Sequence, residues 1–350
     1  MRTCIIILLV IISLGSYAQA EDSASILINQ GIALHDKGDY EGAIRLYDEV
    51  IGKDPNNYLA LYEKSLSLYY SGKYQECVDL SKQLLRQFPN GKDNAKVHVN
   101  YGSALDALGK PDDAIVVYTE GIKKFPGSYL LYFNRGITEM AQKETAKATE
   151  DFKRSVSLNP HHASSHQYLG YCMYYKNKVA AMMSLMTFLM LEPEGQRAQK
   201  NLKALLELLG SNVEKKDDKN ITISLTMDAA KPKRNKEDDF QMTELTLSMQ
   251  QALFLGDKKD LSPAQKLKET LEVIAVIDPG KKNKKKGFFT KFYVPFFNKM
   301  FADSSMLETA SYIMHSSGNN VEISEWLRQN KPRVEAFYKA LEEYRWIKED

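Results

Sequence analysis

The sequence predicts an all-α chain: a solenoid of about five helical hairpins closed by a capping helix, then a small, mostly helical C-terminal domain. Three observations carry this. Gly31, Ser65, Gly102, Gly136 and Gly170 are followed by Pro55, Pro89, Pro126, Pro160 and Pro193, at an offset of 24 residues in four pairs and 23 in the last. Another small residue, Ala43, Cys77, Ala114, Ala148 or Ala181, stands 12 residues before each proline. The units repeat at about 34 residues, a length that suits two antiparallel helices. Small residues belong where backbones cross closely, and proline belongs just past a helix that it cannot continue.

In the first unit Gly31, Gly38, Tyr40, Ala43, Ile44, Tyr47 and Pro55 all fall on one motif. The pattern resembles the tetratricopeptide repeat (TPR). The resemblance implies a right-handed superhelical solenoid and a binding scaffold, with repeats at about 24–57, 58–91, 95–128, 129–162 and 163–195. Lys92, Asp93 and Asn94 are extra residues before the third repeat, and belong in a turn. Repeats four and five depart from the motif, where Lys143, Thr145 and the Lys176 to Lys178 turn replace the usual Gly and Tyr. The run Met182 to Leu191 is apolar nearly all round, which predicts a helix that is either deeply packed or touches the C-terminal region, the second use being favoured. A capping helix over 194–210 carries Ala198, Leu202, Leu205, Leu206 and Leu209 on one face, with Gly210 as its stop.

Residues 211–239 read as a charged linker in which Ile221, Ile223, Leu225 and Met227 alternate like a short strand. No partner strand is evident. Over 240–350 helical signals return. Ser262, Pro263 and Gln265 form a capping-box start, Ser305 and Glu308 repeat the device, and a last helix opens at Asn330 to Pro332. Further helices are expected around Gln241 to Leu255 and Val321 to Arg328. Five lysines among Lys281 to Lys286 precede Phe288, Phe289, Phe292, Tyr293, Phe296, Phe297 and Phe301, with Pro295 expected to bend the segment. Such a stretch suits either a membrane contact from Lys281 to Phe301 or a lysine loop leading into a buried aromatic helix. The second reading is favoured.

Met1 to Ala20 has one cation at Arg2, an apolar run from Ile5 to Ile12 and the ending Ala18-Gln19-Ala20. This is the layout of a secretory signal peptide over 1–20, cut after Ala20 or Ala18, and places the mature chain in a bacterial periplasm or outside the cell. The formal net charge of +2 falls to +1 on cleavage, which argues against nucleic acid as a partner. Cys77 and Cys172 then remain, in repeats two and five. They are expected to be unpaired, because a solenoid repeat touches only its neighbours.

The resemblance also implies which residues line a concave groove: Ile28, Ile32 and His35 in repeat one; Leu59, Tyr62, Leu66 and Tyr69 in repeat two; Lys96, Val99 and Ser103 in repeat three; Leu130, Phe133, Ile137 and Met140 in repeat four; Gln167, Tyr171 and Tyr174 in repeat five. Such a face suits a peptide with apolar side chains; another part of the chain is the alternative occupant. A clamp for a terminal carboxylate is disfavoured. Asn100 and Asn134 are suitably placed, but Ile28, Tyr62 and Leu130 stand where the family's cations would be.

An enzyme needs a convergent set of acids, bases or ligands. His162 and His166 are four apart, a spacing that can bind zinc, with His161 beside them. No glutamate lies between them, and His166 occupies a packing position, so no metal site is assigned. An envelope enzyme or metal-dependent hydrolase would have to hide its chemistry in the C-terminal domain, among residues such as His315, Glu322, Glu325 and Arg328. A peripheral membrane adaptor is a third class. The expected function is a non-catalytic scaffold for a protein or peptide partner, without cofactor.

Overall fold

The computed structural model describes residues 23–217, 220–224, 237–256, 261–278 and 286–347. The predicted signal peptide and the lysines at 281–285 lie outside the described residues. The chain divides into two compact units, Met1–Glu144 and Thr145–Asp350.

The first unit holds helices α1 (23–36), α2 (Tyr40–Lys53), α3 (Tyr58–Tyr70), α4 (Tyr74–Gln87), α5 (Asn94–Ala107), α6 (Pro111–Lys124) and α7 (Tyr129–Ala141). Consecutive helices form hairpins, and the small-residue positions explain how. Ala43, Cys77 and Ala114 are fully buried. A Cβ added at Gly31 would run into the Tyr47 ring, and one at Gly102 into the Tyr118 ring. The glycine of one helix is therefore the seat for the tyrosine of the next. The turns inside the hairpins need left-handed backbone, supplied by Gly38, Gly72 and Gly109 at φ +83°, +80° and +73°. Lys143 takes the same conformation at φ +67° without a glycine. Its turn keeps the same bonds, Lys143 N–H to the Met140 carbonyl and Glu144 N–H to Glu139, as Gly38 and Asp39 make to His35 and Leu34.

The second unit continues with α8 (Thr145–Leu158), α9 (Ala163–Met173), α10 (Lys178–Leu191) and α11 (Gly195–Gly210). A β-hairpin follows, β1 (Val213–Lys215) antiparallel to β2 (Ile221–Ile223) with Val213 opposite Ile223. The partner strand missing from the sequence reading is thus the single-valine stretch Val213-Glu214-Lys215; Leu225 and Met227 lie outside the described residues. Next come α12 (Gln241–Gly256), α13 (Pro263–Ala275), α14 (Phe288–Met300), α15 (Ser304–Met314), a 3-10 turn (Ser316–Gly318), α16 (Val321–Gln329) and α17 (Lys331–Glu343).

Ser262 and Gln265 make the expected capping box at α13. At α15 the expectation is corrected. Asp303, not Ser305, is the N-cap, and its carboxylate accepts the Ser305 N–H at 2.8 Å. Helix α14 runs through Pro295 to Met300.

Every residue of α10 from Lys178 to Met190 is buried. The helix is covered by α9 and α11 and also by α12, α14 and α15. The last repeat helices and the C-terminal helices consequently share one core within the second unit. The aromatic face of α14 is part of this core: Phe288, Phe289, Phe292, Tyr293, Phe296 and Phe297 are all buried. Trp346 stacks on Phe292 and Phe296, with ring centroids 4.7 and 4.3 Å away. Those aromatics have no free surface for a bilayer, and no described helix is long and apolar enough to cross one.

Candidate functional site

In the first unit the candidate face is built by the first helix of each hairpin, α1, α3, α5 and α7. Their expected groove residues divide by burial. Ile28 and Tyr62 are only 4% and 7% exposed. Ile28 packs with Ala43, Tyr47, Val50 and Ala60, and Tyr62 with Leu61, Leu84 and Val97, so the hairpin cores consume both side chains. Ile32, Leu66, Tyr69, Val99, Phe133, Ile137 and Met140 are half-buried and keep surface.

The polar groups among them are few. Burial pushes the Tyr69 hydroxyl above its ordinary range, so it stays protonated at any physiological pH. Lys96 Nζ lies 5.8 Å from the Tyr62 ring centroid. Glu63 is half-buried, and burial chiefly raises its pKa; Lys96 opposes the rise, while Asp93 and Asp36 add to it. The two asparagines considered for a carboxylate clamp are engaged internally. Asn100 Nδ2 donates to Ser65 Oγ at 3.1 Å and Asn134 Nδ2 to the Leu130 carbonyl at 2.8 Å.

Tyr171 and Tyr174 belong to the second unit, on and just after α9. Gln167 Nε2 donates to the Tyr171 hydroxyl at 3.1 Å, and the Tyr174 hydroxyl donates to the Ala204 carbonyl at 3.3 Å. Their hydroxyls are held by their own surroundings.

His166, the histidine weighed as a zinc ligand, is engaged inside the core. His166 is fully buried, its Nε2–H donates to the Pro160 carbonyl at 2.8 Å, and its Nδ1 accepts from the Tyr293 hydroxyl at 2.7 Å. Both ring nitrogens are used, and burial pushes its pKa down to about 3. His315 is buried and donates from Nδ1 to the Ser311 carbonyl, whereas Glu322, Glu325 and Arg328 are exposed on α16. Among the described residues no group of three His, Cys, Asp or Glu side chains is arranged to hold a metal ion. Cys77 and Cys172 are buried free thiols.

The tetratricopeptide repeat family model matches four overlapping stretches, residues 14–58, 28–92, 62–129 and 99–163. Residues 14–163 are thus similar to tetratricopeptide repeats. The repeats as a class mediate protein–protein interaction and are generally non-catalytic scaffolds.

Among curated relatives, mouse tetratricopeptide repeat protein 28 is 30% identical over 120 residues, 33% of this chain and 4% of that protein. Human tetratricopeptide repeat protein 13 is 25% identical over 162 residues, 46% of this chain and 19% of that one. This chain therefore spans only a small part of those relatives. The solved structure of pilF from Pseudomonas aeruginosa covers 55% of this chain and 86% of its own at 19% identity, with a TM-score of 0.48.

Sequence reasoning located the repeat helices but missed two features around them. One is an aromatic group on the rim of the first two repeats, where Tyr40, Tyr70 and Tyr74 join His35 and Tyr69; its signal was present as the pair Tyr69-Tyr70. The other is Asp238, whose carboxylate reaches the start of α14 from the charged linker. No local pattern announces a cap supplied from 51 residues away.

Proposed function

We propose that this chain is an exported, non-catalytic scaffold of the bacterial envelope that holds a protein or peptide partner against the apolar and aromatic face of its repeats. The observation that carries the reading is the row of half-buried side chains Leu66, Tyr69, Val99, Phe133, Ile137 and Met140. Tyr69 and Val99 pack in part against the hairpin core, yet the whole row stays only half-buried and leaves apolar surface along successive first helices. Apolar and aromatic anchors of this kind supply most of the energy in peptide grooves, and Tyr hydroxyls add orientation. The export half of the reading rests on the Arg2 start, the Ile5 to Ile12 run and the Ala18-Gln19-Ala20 ending.

The test uses the full chain with a photo-crosslinking residue in place of Phe133, expressed in its native host. A discrete crosslinked partner is expected, and competition by Phe133→Ala and Met140→Ala chains should be at least tenfold weaker than by the parent. Circular dichroism must show unchanged helix content in both variants. If folded variants compete as well as the parent, the face is not the binding surface. N-terminal sequencing of the same material should begin at Glu21 or Gln19, and a full-length cytosolic chain would overturn the export reading.

A further inference from the structure

We propose that the rim of the first two repeats carries a docking site for a proline-rich, extended segment bearing a basic residue. Five rings converge there from the ends of four helices. His35 meets Tyr40 and Tyr70 edge-on, with centroids 5.1 and 5.2 Å away, and Tyr40 stacks on Tyr70 at 5.6 Å and 25°. Tyr69 extends the group to Tyr70 at 5.4 Å and to Tyr74 at 5.7 Å. His35 is fixed by a 2.8 Å hydrogen bond between its Nδ1 and Ser67 Oγ. The group is thus a rigid aromatic surface, and Tyr70 at its centre is 54% exposed.

Two properties select the occupant. The hydroxyls of Tyr40, Tyr69, Tyr70 and Tyr74 make no hydrogen bond within the described chain, so four donors are presented beside apolar ring faces. A polyproline II segment is the complement, because its carbonyls have no internal donors and its rings pack on aromatic faces. Such a segment is already extended, so little conformational freedom is lost when it docks.

The charge on the rim selects the rest. Lys73 is engaged by Glu41 at 2.8 Å, while Asp36, next to His35, makes no ion pair among the described residues. Half-buried Glu63 is raised chiefly by burial, with Lys96 opposing the rise and Asp93 and that same Asp36 adding to it. A guanidinium or ammonium on the partner would relieve this surplus of carboxylate.

The site deepens the scaffold reading, and rests on it, by naming a partner chemistry for one end of the repeat face. The experiment titrates the full chain with the acetylated, amidated peptide Pro-Pro-Pro-Arg-Pro-Pro-Pro, its Glu-for-Arg counterpart and an alanine-rich helical peptide, followed by calorimetry. Saturable binding of the arginine peptide is expected. Tyr70→Ala should weaken it at least tenfold, Tyr40→Phe a few-fold, and Asp36→Asn should remove most of the preference for arginine over glutamate. Leu253→Ala, at an exposed position on α12 outside the repeat face, should leave this binding unchanged.

Absence of saturable binding, or Tyr70→Ala binding as tightly as the parent in a folded chain, overturns the site. Preference for the helical peptide does so too. If these fail while the Phe133 crosslink and its competition survive, the scaffold reading stands without this site. If both fail, that reading falls with it.

Discussion

His166 and Tyr293, 127 residues apart in the chain, share a 2.7 Å hydrogen bond in which the phenol donates to the ring Nδ1. The bond ties the first helix of the last hairpin to the aromatic helix α14. It exists only while His166 is neutral, since a protonated ring has no acceptor to offer.

Acid should therefore loosen the second unit. The folded pKa of His166 is pushed by burial to about 3 from a reference of 6.5. A depressed pKa means that the unfolded chain takes up the proton first. The contribution is complete above pH 6.5 and is lost progressively as pH falls from 6.5 towards 3. At pH 4.5 this group alone costs about 2–3 kcal/mol. His315 and His98 are shifted in the same direction, chiefly by burial, and should add to the loss. Thermal melts from pH 7.5 to 4.5 should show it. Tyr293→Phe should cost about 1–3 kcal/mol at pH 7.5 by stranding Nδ1, and a melting temperature independent of pH over this range would contradict the assignment.

Asp238 caps α14 from outside the helix. Its two carboxylate oxygens accept the N–H groups of Phe289 and Thr290 at 3.1 and 2.7 Å, and Asn177 Nδ2 donates to its backbone carbonyl at 2.9 Å. The residue sits at φ +53°, where Asn and Gly are the best-tolerated substitutes. Asp238→Ala should destabilise by about 1–2 kcal/mol, as the loss of an N-cap does, while Asp238→Asn should cost about half as much. Urea denaturation would rank the two, and equal losses would mean that the carboxylate is not the cap.

The repeat glycines make a paired prediction. Gly102→Ala drives a methyl group into the Tyr118 ring and should cost about 1–3 kcal/mol. Gly52, inside α2, has nothing within 4 Å of an added Cβ, so Gly52→Ala should stabilise by about 0.5–1 kcal/mol through lost unfolded-state freedom. Denaturation midpoints of opposite sign are expected, and two losses of similar size would deny the close helix crossing at Gly102.

Both described cysteines should be silent in the native state. Cys77 and Cys172 are buried, and burial pushes the Cys77 thiol up to about 12. The reactive thiolate is then scarce as well as hidden. Alkylation of unreduced native protein at pH 8 should label neither Cys77 nor Cys172 within minutes, and both should be labelled after denaturation. Rapid native labelling of Cys77 would mean that the second hairpin opens readily.

The hairpin positions were legible because each is written in local chemistry. A glycine seats a tyrosine, an alanine lets backbones approach, and a proline stands past the end of a helix. At Lys143 the motif was weaker because a non-glycine residue bears the left-handed backbone there. β1 was hidden because three residues with one valine carry no period, and its pairing to β2 is made only in space. Asp238 and Trp346 act over distances that no window along the chain can see. On the candidate face, motif positions located the row of side chains. Which of them the core would consume, as it does Ile28 and Tyr62, depended on how closely the helices pack.

The all-round burial of α10 removes a freedom that repeat proteins ordinarily keep. In an open array each unit is interchangeable with its neighbours, so units can be added, lost or shuffled while the junctions stay alike. Here the last hairpin has only one acceptable neighbour on its outer side. Its Met, Leu and Phe side chains would face water if the chain were cut at Gly210, and the stump would be prone to aggregate. The array can therefore lengthen or shorten only ahead of this hairpin, and the C-terminal helices are inherited with it as a single folding block.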